Sequence, residues 1–340
     1  MIKVYRDGQD GIEATGGFPP GSWVHVEEPD DDEIERLHTT LGVPRTFLAA
    51  ALDPREVART DTQRDFNLIV VRAPYDFGDR ERAPYRTVPL AMISGAEHFV
   101  TISRHPIDFV HDLNYEYDAT ELHTRRANRM ILAILGVVGR WFLLYLEKLD
   151  RRMDDVEDRL AESIENSEML ELLRYEKSLI YMKTGLEWNE EMVRHLQEEA
   201  QFDWTDDDRQ LLKDVQIEYR QAYHMAATMQ AVLSEMADAF GSLISNNLNV
   251  VMKFLAAITI VLTIPALITT IYGMNVQLPG EENPRTFTLM LSLSAVLVGV
   301  VGWWFWRQGW MSFQVGGQRR KREFSAPEEA NSDDDGRNRA

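Results

Sequence analysis

Asn249, Met252, Ala256, Thr259, Thr263, Ala266 and Thr270 recur alternately three and four residues apart, which sets them on one face of a helix. They are small or polar. The residues between them, Phe254, Leu255, Ile258, Val261, Leu262, Ile264 and Ile268, are bulky. Two chemistries fit such a stripe. Hydroxyls and an amide can line water, or small side chains can let two helices approach closely. The run that carries the stripe, Asn246 to Gly280, passes through Tyr272-Gly273-Met274-Asn275, a polar close to an apolar segment.

The element that positions these residues is long and uncharged. Phe254 to Ile271 holds no charge and as a helix covers about 27 Å, close to the roughly 30 Å of a hydrocarbon core. Pro265 lies inside it, which membrane bundles tolerate when neighbours compensate for the lost ladder bond. A second uncharged run follows, Phe287 to Trp306, with Trp303, Trp304, Trp306 and Trp310 at its end as an interfacial belt. Lys253 precedes the pair, and Arg307 and Arg319-Arg320-Lys321-Arg322 follow it. The loop between holds Glu281, Glu282 and Arg285. The positive-inside rule puts both termini in the cytoplasm and the loop outside. The expected location is a cell membrane, crossed more than once. Two helices of one chain cannot enclose a path, so a pore here requires a homo-oligomer in the bilayer with equivalent helices around one axis.

Before the first span, Leu212, Val215, Tyr219, Ala222, Ala226, Met229, Leu233, Met236, Phe240 and Leu243 repeat at helical spacing. Thr205 and Asp208 read as a capping box with an acidic first turn. One helix is expected from about Thr205 to Tyr272, roughly 100 Å long. Spacing alone does not say whether its stripe packs within the chain or between copies.

The first 115 residues mix strands at 22–26, 67–72, 87–93 and 97–102 with helices at Pro29 to Leu41 and Phe47 to Leu52. Gly95 suits a hairpin turn between the last two strands. Helices are expected at 120–160 and 165–199. The expected divisions are an α/β part at 1–115, helices at 116–204, a stalk at 205–253, spans at 254–272 and 287–306, an outer loop at 273–286 and a tail at 307–340.

The 340 residues carry a net charge of -19, which argues against nucleic acid as a partner, because phosphate binding wants a basic surface. The charge suits attraction of cations or simple solubility. There is no cysteine, so zinc-thiolate sites and cysteine nucleophiles are excluded. The first residues have no apolar core of a signal peptide. His105 and His111 lack a third ligand nearby. Asp150, Asp154, Asp155, Glu157 and Asp158 read as a solvated face. No nucleophile triad, phosphate loop or metal-hydrolase motif is present, so an enzyme is not expected and no catalytic cofactor is called for.

Asn249, Met252-Lys253, Pro265 and above all Tyr272-Gly273-Met274-Asn275, followed by a short loop, a second span and a basic tail, resemble the CorA family of divalent-metal transporters. That resemblance implies a funnel: a cytoplasmic α/β domain, long stalk helices and a two-span transmembrane segment, assembled as a homopentamer. It implies that Gly273, Met274 and Asn275 form an outer selectivity region, with Asn275 meeting Mg2+ through hydrating waters. Asn249 would meet the ion near the cytoplasmic end, and Met252 with Leu255 would form an apolar constriction. Asp214 matches a position tied to regulatory metal, and Glu281 and Glu282 would concentrate cations at the mouth. The implied function is influx of Mg2+ or Co2+ gated by cytoplasmic Mg2+. The loop reads Leu278-Pro279-Gly280-Glu281-Glu282 where the family commonly has Met-Pro-Glu-Leu. Two other readings stay open: a transporter preferring Zn2+, Ni2+ or Co2+ with proton coupling, and a non-conducting sensor or scaffold.

Overall fold

The computed structural model describes residues 1–8, 12–117, 122–162, 166–199, 202–275, 283 and 285–310. Among them are seven strands of one sheet: β1 (Ile2–Asp7), β2 (Ile12–Thr15), β3 (Ser22–Glu27), β4 (Arg59–Gln63), β5 (Phe66–Asp76), β6 (Tyr85–Ser94) and β7 (His98–Ser103). Their spatial order is β2-β1-β3-β7-β6-β5-β4. β3 and β7 run parallel, and the other neighbours are antiparallel. The four expected strands are β3, β5, β6 and β7; the first three are longer by one to five residues, and β7 is shifted by one. The Gly95 N–H donates to the His98 carbonyl at 3.0 Å and closes the β6–β7 hairpin.

Alternation along the strands builds the core. Val24, Val26, Leu68, Val70, Ala91, Ile93, Val100 and Ile102 share one cluster with Leu37, Phe47, Leu48 and Ala51. The last four come from α1 (Asp31–Leu41) and α2 (Arg45–Leu52). Asp30 caps α1 by accepting from the Glu33 N–H at 2.8 Å, while Glu33 reaches back to the Asp30 N–H at 3.3 Å. Gly42 ends α1 at φ 72, a left-handed conformation that glycine adopts without strain.

Pro89 sits inside β6, opposite Arg72 of β5. It has no N–H to give, so this cannot be a pair that exchanges two hydrogen bonds. The backbone N–H and C=O of Arg72 point the other way, past the place where β4 pairing stops at Val70. The buried amide of Asn189 fills that gap. It accepts from the Arg72 N–H and donates to the Arg72 carbonyl, both at 2.8 Å. Asn189 lies on α5 (Asn166–Glu198). The same helix approaches β6 at Gly185, where a Cβ would come within 2.7 Å of Thr87 Cγ2.

The remaining helices are α3 (Val110–Glu116), α4 (Ala127–Glu162), α6 (Asp206–Tyr272) and α7 (Arg285–Arg307). The Thr205–Asp208 box that opens α6 is present, with the Thr205 N–H and the Asp208 N–H each 3.2 Å from the partner side chain. By internal contacts the chain divides into two units, Met1–Leu160 with Glu165–Met236 and Ala237–Ala340 with Ala161–Ile164. In the first unit Leu212, Val215, Tyr219, Ala222, Ala226, Met229 and Leu233 of α6 are buried, so that part of the stripe packs within the chain. The buried Tyr219 hydroxyl donates to the Leu135 carbonyl of α4 at 2.9 Å. Gly139 permits this approach, since a Cβ there would lie 3.2 Å from Tyr219 Cε1.

Among the described residues three helices are apolar and long enough to cross a membrane: α4, α6 and α7. The apolar window of α4 is 67% buried inside the protein, against 6% for those of α6 and α7. Burial within the protein marks α4 as a core helix. The other two present their apolar surface outward.

Candidate functional site

The last third of α6 has two distinct faces. Phe254, Ala257, Ile258, Val261, Ile264, Pro265 and Ile268 are buried or half-buried. Asn249, Met252, Ala256, Thr259, Thr263, Ala266 and Thr270 are all exposed. At about 100° per residue the centres of the two sets lie nearly half a turn apart. The small and polar stripe is therefore the side of the helix that this chain's own packing leaves uncovered. Met252 and Leu255, expected at a constriction, are 63% and 56% exposed. Leu255 stands at the edge of the stripe.

The hydroxyls on this stripe have fixed roles. Thr259 donates to the Leu255 carbonyl at 2.8 Å, Thr263 to the Thr259 carbonyl at 2.7 Å and Thr270 to the Ala266 carbonyl at 2.7 Å. Each hydroxyl hydrogen is spent on the backbone, so each oxygen presents lone pairs outward.

The helix ends at the tetrapeptide. The Gly273 N–H is shared between the carbonyls of Thr269 at 2.9 Å and Thr270 at 3.2 Å, and Met274 N–H reaches Ile271 at 3.4 Å. A Cβ on Gly273 would sit 3.3 Å from the Thr269 carbonyl oxygen, a tight fit that glycine avoids. Met274 and Asn275 are exposed beyond this turn. Glu281 and Glu282 fall outside the described residues. So does the basic run at 319–322. α7 opens at Asn283, whose side chain accepts from the Arg285 N–H at 3.1 Å. It closes at Gly309, φ 76, where Trp310 N–H bonds the Phe305 carbonyl at 3.0 Å and the two rings lie 5.2 Å apart. Arg307 lies 5.5 Å over the Trp303 ring, as a cation beside an interfacial aromatic would.

One extension escaped the spacing argument. Asp238, Gly241, Ser242, Ser245 and Asn246 line an open groove of about 560 Å³ with Ala237 and Asn249. Their helical phase is that of the stripe, which thus continues about three turns below Asn249. Every residue from Gly241 to Asn249 is exposed, and Leu243 is 48% exposed although the heptad-like spacing runs through it. The signal was in the sequence, as three- and four-residue steps between polar side chains.

Asp214 is exposed on α6 and accepts from Gln210 at 3.2 Å. Its neighbour one turn on, Glu218, lies 3.5 Å from Arg140. Burial raises the Glu218 carboxyl above its ordinary value against the pull of Arg140, and the charge of Asp214 adds to the rise. Among the described residues no three His, Asp or Glu side chains converge on a possible metal position. His105 packs instead against Tyr75 and Phe77, at ring separations of 5.0 and 5.2 Å, and burial lowers its pKa. Asp150, Asp154, Asp155, Glu157 and Asp158 are exposed along α4.

The family model for CorA-like Mg2+ transporter proteins matches residues 21–308. The chain is 28% identical over 293 residues to the cobalt/magnesium transport protein CorA of Methanocaldococcus jannaschii, covering 85% of this chain and 91% of that protein. It is 22% identical over 306 residues to the zinc transport protein ZntB of Cronobacter sakazakii, covering 85% and 88%. The fold is similar to the complete structure of the CorA magnesium transporter from Methanocaldococcus jannaschii. The TM-score is 0.78 at 24% identity, over 91% of this chain and 98% of that one.

Proposed function

Since this chain belongs to the CorA-like Mg2+ transporter family, we propose that it is a divalent-cation transporter that carries Mg2+ into the cytoplasm down its electrochemical gradient. The observation that carries this reading is the exposed stripe from Asn249 to Thr270, turned away from the half-buried face of α6 and ending at Gly273-Met274-Asn275. Copies of the chain, five in the expected assembly, set these stripes around one axis. α6 and α7 cross the cell membrane, and both termini lie in the cytoplasm.

Mg2+ gives up its water reluctantly. A ring of Asn275 carbonyls with nearby main-chain oxygens holds the hydrated ion through that water. It holds less tightly than a carboxylate ring would, so the ion can leave. Glu281 and Glu282 raise the local cation concentration at the outer mouth. An inside-negative potential contributes about 4.6 kcal/mol per 100 mV for a divalent ion, so influx needs no ATP. Met252 with Leu255 forms the apolar constriction, and Asn249 meets the ion at its cytoplasmic side. Cytoplasmic Mg2+ bridging Asp214 to a neighbouring copy keeps the constriction shut.

Reconstitution in proteoliposomes tests this. Wild-type protein should take up Mg2+, and Asn275→Ala should abolish selective uptake while still assembling. Normal uptake and selectivity in that variant would refute the assignment of Asn275. The similarity to a zinc transport protein supports a second reading, in which Zn2+ is the preferred cargo. Uptake of Zn2+ with no uptake of Mg2+ would select it.

A further inference from the structure

We infer that the outward face of α5 docks on α6 of the next copy in the assembled ring, with Ile180 and Tyr181 of one copy against Val232 of the other and Lys177 against Glu235. The inference rests on the ring of copies read above and adds a surface that holds neighbours together. α5 is apolar on both sides. Leu172, Leu179, Met182 and Leu186 are buried within their own unit, whereas Leu173, Ile180, Tyr181 and Trp188, on the opposite side, are each between 43% and 49% exposed. A helix with apolar residues all round belongs in an interior, so the outer face calls for a cover. Tyr181 and Trp188 are of the residue types enriched where chains meet.

The register comes from contacts inside one chain. Lys183 donates to Gln230 at 3.3 Å, Arg220 lies 3.2 Å from Glu190, and Gln197 donates to Gln216 at 3.3 Å. α5 and α6 therefore run antiparallel with a single alignment. It sets Lys177 level with Glu235, Ile180 and Tyr181 level with Val232 and Ala231, and Trp188 level with His224. Copies around an axis that runs along α6 differ by a rotation without a rise, so residues level within a chain are level between neighbours. Val232 is 47% exposed. It lies about 160–200° round α6 from Gln216 and Gln230, turned away from α5 of its own chain. The α5 of the next copy covers it at that height. Lys177 and Glu235 are exposed, and among the described residues neither has an ion-pair partner. Across this contact the two opposite charges meet at the edge of the apolar centre.

The chain has no cysteine, so introduced pairs report without background. Oxidation of full-length Ile180→Cys/Val232→Cys protein in detergent should give a ladder of linked chains on a non-reducing gel. Leu173→Cys/Val232→Cys is seven residues, about 10.5 Å, out of register and beyond the reach of a disulfide, so it should stay at the mass of one chain. Lys177→Glu added to the first pair should slow linkage about fivefold, the scale of one exposed ion pair turned repulsive. Adding Glu235→Lys as well should restore it. A wild type that is oligomeric by light scattering, with no ladder from the Ile180 and Val232 pair or an equal ladder from the Leu173 pair, overturns the interface alone. A monomeric wild type overturns the pore reading, and the interface with it.

Discussion

Replacing Asn189 with leucine should destabilise the protein by about 3 kcal/mol. The amide holds the Arg72 N–H and C=O at 2.8 Å each, and it is fully buried. Leucine leaves both backbone groups without a partner where Pro89 and the end of β4 already deny them one. A buried orphan of this kind costs about 1–3 kcal/mol, so two cost roughly 2–6. Burying a leucine returns about 1.5–3 kcal/mol at most, and its shape differs from that of the amide. At about 2–4 °C per kcal/mol the midpoint should fall by roughly 6–12 °C in a thermal scan of the detergent-solubilised protein. Hydrogen exchange at the Arg72 amide should accelerate in parallel. An unchanged midpoint with the Arg72 amide still protected would refute the claim that Asn189 stands in for the missing strand.

Gly185→Ala sets two effects against each other. Alanine gains about 1 kcal/mol of helix propensity, whereas a Cβ within 2.7 Å of Thr87 Cγ2 forces α5 off β6 at about 1–3 kcal/mol. Overlap should win, and a raised midpoint would contradict it. Glu27 is held at about 2 first by His25, whose Nε2 lies 3.3 Å from its carboxylate, and then by the hydrogen bond from Lys3 at 2.8 Å, against its burial. The folded value lies below the unfolded one, so its contribution of about 3 kcal/mol is complete above about pH 4.5 and is lost as pH falls toward 2. Glu27→Gln should therefore flatten the stability-against-pH curve in that window. A curve that keeps its slope would remove Glu27 from the acid response. Asp214→Ala should weaken inhibition of influx by internal Mg2+, and unchanged inhibition would end its regulatory role.

The elements that could be read from the sequence are those with a long apolar period. The 67 residues of α6 hold to three- and four-residue steps, and its capping box is local, so its start and extent were legible. β6 and β7 are short, mostly apolar runs on either side of a glycine. β4 reads Arg-Thr-Asp-Thr-Gln and carries no apolar mark at all. Only its pairing with β5 makes it a strand. The end of that pairing is set by Asn189, 117 residues from Arg72, which no local pattern can announce. At the candidate site, the stripe was legible but not its companion fact, that the opposite face is the half-buried one. Nor does spacing reveal that the threonine hydrogens are committed. Both depend on packing and rotamers. The lower continuation through Asp238 has the right spacing, but it lacks the apolar contrast that made the upper stripe stand out.

Pro89 has a consequence for assembly. β6 is paired with β5 from Tyr85 to Ser94, whereas its ladder with β7 begins only at Leu90. Sliding β6 along β7 so that position 89 entered the ladder would bring in a residue that cannot donate. A one-residue slip against β5 would set the proline where a donor is required and would carry each β6 side chain to the opposite face of the sheet, into packing that does not fit it. The ring thus works as an end stop that leaves these three strands one alignment. In a chain proposed to place two helices in a bilayer, a sheet that cannot settle out of step removes one way for nascent copies to misfold and associate before they would reach the membrane.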